Sequence, residues 1–102
     1  MTPFEISYLQ QQALMLMQAM LGGISPNFTM ISISIIEEKI KIKVVLGSES
    51  KEDREELEDC QTQFDSFQSG PIDYDFDIVV DDGDITLWSK DNTIYIYRKR
   101  EN

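Results

Sequence analysis

Leu9, Ala13, Leu16 and Met20 recur at helical spacing, and at about 100° per residue Leu14, Met17 and Leu21 lie beside them. The chain therefore opens with a helix that has one broad apolar side. Its start is written in Thr2-Pro3-Phe4-Glu5: Thr2 can cap, Pro3 suits the first helical position, and Glu5 can close a capping box. Gly22-Gly23 ends it, because glycine accepts the left-handed backbone common just past a helix. Met15 falls with Gln11 and Gln18 on the polar side.

Beyond this point the period shortens to two. Between Phe28 and Ile36, Ile31, Ile33 and Ile35 alternate with Ser32 and Ser34, the pattern of a half-buried strand. Ile40, Ile42, Val44 and Leu46 then alternate with Lys39, Lys41 and Lys43, and the short Glu37-Glu38 connection predicts an antiparallel hairpin. A second helix, capped by Ser48 or Ser50, carries Leu57, Cys60, Phe64 and Phe67 as a narrow stripe and stops at Gly70-Pro71. Ile72, Tyr74, Phe76, Ile78 and Val80 alternate with Asp73, Asp75 and Asp77 in a third strand. Asp82-Gly83 is a hairpin signal into a fourth strand, Ile85 to Trp88. Lys90-Asp91-Asn92 turns the chain into a fifth, Thr93 to Tyr97, with Ile94 and Ile96 on one side and Tyr95 and Tyr97 on the other. The expected fold is an α+β two-layer sandwich of order αββαβββ. Both helices cover one face of an antiparallel sheet of about five strands, and the other face is open to water.

A length of 102 residues fits a single domain over 1–102, and 41% hydrophobic with 27% charged residues is enough apolar content to exclude a disordered chain. Charge changes the picture more. Nine basic residues against nineteen acidic ones give a net charge of -10, which argues against direct binding to nucleic acid or anionic lipid. The acidity is local: residues 1–48 carry three lysines and three glutamates, whereas residues 49–91 carry three basic groups and fifteen acidic ones. Acids near a helix N-terminus are favoured by the macrodipole, but Glu55 to Asp59 lie past the first turn, and Glu52 and Glu56 are a like-charge pair four residues apart. Along the third strand, Asp73, Asp75 and Asp77 repel one another unless Lys41, Lys43, Lys99 or an external partner lies opposite.

Little catalytic chemistry survives inspection. The chain has no histidine, which removes imidazole acid–base catalysis and His-containing triads, and Cys60 is its only cysteine, so neither an internal disulfide nor a Cys-rich metal site can form. A lone thiol suits a reducing, cytoplasmic setting. The spacing of Asp73, Asp75 and Asp77 starts like a calcium loop but meets Ile78 where glycine is required. No glycine-rich phosphate loop is present, and the apolar stretch Ala13 to Leu21, interrupted by Gln18 with no basic run before it, is neither a signal peptide nor a membrane span. The expectation is a binding protein, not an enzyme, with no cofactor and no metal.

Leu21-Gly22-Gly23-Ile24-Ser25-Pro26-Asn27-Phe28, the alternating hairpin after it, and Ser50-Lys51-Glu52-Asp53-Arg54-Glu55-Glu56-Leu57-Glu58-Asp59 together resemble small bacterial immunity proteins of polymorphic toxin systems, in particular those of contact-dependent growth inhibition. The resemblance follows the element order over about residues 4–80. It implies a cytoplasmic, non-catalytic protein that binds a cognate toxin domain and blocks its active site or substrate approach. Many such toxins are nucleases, often against tRNA. Ser25-Pro26-Asn27 reads as a structural closure between helix and strand. From charge, the expected partner-binding residues are Glu52, Asp53, Glu56, Asp59, Asp73, Asp75 and Asp77, with Trp88, Tyr95 and Tyr97 as aromatic anchors. The expected partner is a basic toxin domain, with no direct nucleic-acid or membrane contact. Two other readings stand beside it: an adaptor subunit pairing through a sheet edge or the tyrosine face, and a small metal-dependent hydrolase. Homo-oligomerisation stays open.

Overall fold

A computed structural model describes residues 2–80 and 93–98 of the chain. Helix α1 spans Pro3–Met20, strands β1 Phe28–Ile36 and β2 Lys39–Leu46 follow, then helix α2 Lys51–Ser66 and strands β3 Tyr74–Val80 and β4 Thr93–Arg98. The capping box forms as the sequence predicts. The Glu5 amide donates to Thr2 Oγ1 at 3.2 Å, and the Thr2 amide donates to Glu5 Oε1 at 3.1 Å. Ser50 is the cap of α2, its Oγ accepting from the Asp53 amide at 3.2 Å.

The described residues form one four-stranded sheet in the order β3-β2-β1-β4. Two expectations change here. The sheet is mixed, because β3 runs parallel to β2 while the β1–β2 and β1–β4 pairs are antiparallel. Its cause is length: sixteen residues of α2 rise about 24 Å, close to the roughly 26 Å of an eight-residue strand. The helix thus carries the chain back to the end where β2 began. The strand count among the described residues is four, not five; the expected strand Ile85 to Trp88 lies outside them.

One sheet face carries Ile31, Ile33 and Ile35 of β1 and Ile40, Ile42, Val44 and Leu46 of β2, all buried, and both helices close over it. From α1 come Leu9, Ala13, Leu16 and Met20; from α2 come Leu57, Cys60 and Phe64. Met15 packs partly buried against this core instead of lying exposed, while Leu14, Met17 and Leu21, beside the core stripe, face solvent. A reciprocal amide pair ties α1 to the segment just after α2: Gln12 Nε2 donates to Gln68 Oε1 at 3.0 Å and Gln68 Nε2 to Gln12 Oε1 at 2.8 Å.

The opposite face is not uniformly wet. The register sets Met30, Val45 and Val79 side by side across β1, β2 and β3, and Met30 and Val45 are buried. Most of the remainder of that face is polar, with Ser32 and Ser34 of β1, Lys41 and Lys43 of β2, and Asp75 and Asp77 of β3, beside Ile36 and Tyr95.

Candidate functional site

The expected contact residues divide between the two layers. On the polar sheet face, the parallel register sets Lys41 beside Asp75 and Lys43 beside Asp77. Lys39 Nζ lies 3.6 Å from Asp73 and 3.1 Å from Asp75, and Lys41 Nζ lies 3.7 Å from Asp75. The hydrogen bond from Lys39 holds the Asp75 carboxyl below its usual range, and the same bond raises the Lys39 ammonium. Uncompensated repulsion along this strand is therefore not what the fold contains: Asp73 and Asp75 are matched by lysines of the neighbouring strand.

The helix cluster is different. Two basic residues share α2 with seven acidic ones. Arg54 Nε donates to Glu49 Oε2 at 2.6 Å, which lowers the Glu49 carboxyl, and Lys51 reaches Glu55 at 4.0 Å. Asp53 is 8% exposed and structural. Its Oδ2 accepts from Asn27 Nδ2 at 2.9 Å; the same Asn27 Nδ2 donates to the Ser48 carbonyl at 2.8 Å, and Asn27 Oδ1 accepts from the Ser48 amide at 2.9 Å. Asn27 thus stitches the entry of β1 to the start of α2, the structural closure expected of Ser25-Pro26-Asn27.

Glu52, Glu56 and Asp59 remain, all exposed and none ion-paired with a cation among the described residues. Their spacing of four and three puts them on one side of α2. Glu52, Asp53 and Glu56 share a recess of about 230 Å³ with Gly22, Gly23, Ile24 and Ser25. Gly22 has φ +81°, and a Cβ on Gly23 would stand 3.0 Å from Glu56 Oε1 and 3.2 Å from Cys60 Sγ. Glycine there is what lets the α1–β1 connection approach the helix. Cys60 below is buried, and its thiol is pushed up by burial and by the Glu56 and Asp59 charges, the opposite of what a nucleophile needs.

The aromatic expectations separate. Tyr97 pairs with Ile31 and packs on the core side, whereas Tyr95 pairs with Ser32 on the polar face, because a register shift between Ile31 and Ser32 gives β4 one extra residue. The two tyrosines therefore do not share a side. Tyr95 Oη is buried without a hydrogen-bond partner among the described residues, and the Arg98 guanidinium stands 6.0 Å from its ring centre. Trp88 lies outside the described residues. Sequence reading missed the Gln12–Gln68 pair and the partner of Asp53, since neither spacing nor composition indicates which distant amides meet.

Among the described residues no group of three His, Cys, Asp or Glu side chains could hold a metal ion, and no helix is long and apolar enough to cross a membrane. What this fold offers is a small, acidic α+β surface on which Glu52, Glu56 and Asp59, on one side of α2, have no cationic partner among the described residues. Residues 10–101 match the family described as MafI2 immunity protein, and the chain belongs to that family. It is accordingly a toxin-neutralising immunity protein of the Maf toxin system. The wider resemblance to immunity proteins of polymorphic toxin systems holds, with Maf as the system that the matched family names. No curated protein matches the chain.

Proposed function

We propose that this protein acts in the cytoplasm by covering the nucleic-acid-binding surface of a basic nuclease toxin with the exposed acidic side of α2. The observation that supports the reading is the contrast between the two carboxylate clusters: Asp73 and Asp75 have lysine partners, whereas Glu52, Glu56 and Asp59 have none among the described residues. Like charges four residues apart on a helix cost stability, so a fold that keeps them unpaired gains from a cationic partner. A nuclease needs a cationic surface to hold phosphates, and carboxylates of α2 would occupy it. The remaining expected contacts, Asp77 and Tyr95, lie on the opposite layer and take no part in this arrangement.

The test is co-expression with the toxin encoded beside this chain, followed by assay of the purified toxin on RNA and DNA with and without the protein. Rescue of growth together with loss of cleavage on adding the protein is the expected result. A toxin that cleaves no nucleic acid, or that stays active in the presence of the protein, would overturn the reading.

A further inference from the structure

Two rows of side chains cross the sheet on the face away from the helices. Strand pairing sets Tyr95, Ser32, Lys43 and Asp77 in one line across β4, β1, β2 and β3, and Thr93, Ser34, Lys41 and Asp75 in the next. The serines are short and stand between longer side chains. A hollow of about 230 Å³ results, with Ser32 and Ser34 at its floor, Tyr95 on one side and Lys41 and Lys43 on the other. One water takes about 30 Å³, so a ligand of several non-hydrogen atoms fits.

The register also decides the charge that such a ligand meets. Adjacent strands lie about 4.8 Å apart, so the lysines are one strand from the serines and the aspartates two, roughly 10 Å away. Lys41 Nζ is 3.7 Å from Asp75, which lies closer, at 3.1 Å, to Lys39. In a chain of net charge -10, the lining of this hollow holds two ammonium groups against the single carboxylate of Asp77. Tyr95 adds a second observation. Its Oη is buried with no hydrogen-bond partner among the described residues, a donor short of an acceptor in the wall of the hollow. A buried hydroxyl left in that state costs stability, and an anionic oxygen beside it supplies what is missing.

We infer that this hollow binds a small oxyanion, a carboxylate or a phosphate, between the lysines of β2 and the hydroxyls of β1 and β4. It lies on the layer opposite the α2 carboxylates and is independent of the proposed toxin contact.

The experiment titrates the ¹⁵N-labelled full chain with sodium acetate, sodium phosphate and, as the control, sodium chloride at matched ionic strength and pH, following backbone amide shifts. Y95F, K41M and D77N are titrated alongside, with circular dichroism to check each fold. Y95F removes only the hydroxyl, so it leaves the packing of the ring in place. Saturable shifts at Ser32, Ser34 and Tyr95 with acetate or phosphate, and not with chloride, are expected. Loss of a charge-assisted hydrogen bond should weaken binding about fivefold or more in K41M, and D77N should tighten it about twofold. Y95F should bind more weakly than wild type while the ligand-free protein melts at a higher temperature, because its unsatisfied donor is gone. Shifts that rise without saturating for both oxyanions, or that chloride reproduces, overturn the inference. So does saturation with the same affinity in wild type, K41M and Y95F.

Discussion

Asn27 shows how a single side chain can fix the placement of the α2 surface. It joins the start of β1, the Ser48 backbone and the Asp53 carboxylate, so its removal would leave a nearly buried charge without its donor. Hydrogen bonds to charged groups are worth about 1.5–3 kcal/mol. Asn27→Ala should therefore lower stability by about 2–4 kcal/mol in urea denaturation. Asp75 makes a smaller, pH-dependent contribution. Its folded carboxyl lies below its unfolded value, so the stabilisation is present above the unfolded range near 3.8 and disappears as pH falls through the depressed folded value. In acid titration, Asp75→Asn should flatten the stability loss at the low-pH end; an acid limb identical to wild type would contradict the Lys39–Asp75 contact. Tyr74 makes the matching case in alkali. Burial and its bond to Asp65 push its hydroxyl up to about 12, so its contribution holds below pH 10 and is lost as pH rises toward 12.

Among the elements, the β1–β2 turn is strained by its own residues. Glu37 and Glu38 both adopt positive φ, 53° and 65°, a conformation that two-residue hairpins reserve for Asn-Gly. Replacing them with Asn-Gly should stabilise the domain by about 1 kcal/mol, which is a rise of roughly 4–8 °C in Tm for a chain of this length. An unchanged or lower Tm would mean that the turn is held by more than local preference. Helix starts, the first hairpin and most of the core stripe of each helix were legible because caps and alternation are local signals: Thr2 with Glu5, Ser50 with Asp53, and Ile31, Ile33 and Ile35 against Ser32 and Ser34; Phe67, expected on the α2 stripe, lies just past the helix and is 40% exposed. The direction of β3 was not read correctly because it depends on where α2 delivers the chain. The split between Tyr95 and Tyr97 depends on a bulge that no residue pattern announces.

For the whole molecule, the candidate site was half legible. Its composition identified the carboxylates, but only tertiary register distinguishes the cluster that lysines neutralise from the one that has no cationic partner among the described residues. In one, parallel pairing brings Lys39 and Lys41 to Asp73 and Asp75; in the other, the lone arginine and lysine of α2 turn to Glu49 and Glu55. A net charge of -10 therefore overstates how much of the surface calls for a cationic partner. The most direct measurement is the ionic-strength dependence of association with the toxin domain, compared between E56Q/D59N and D75N/D77N, which remove equal charge. The account predicts slower association and a shallower salt dependence for E56Q/D59N, with D75N/D77N close to wild type. The reverse order, with D75N/D77N the slower and flatter of the two, would contradict it.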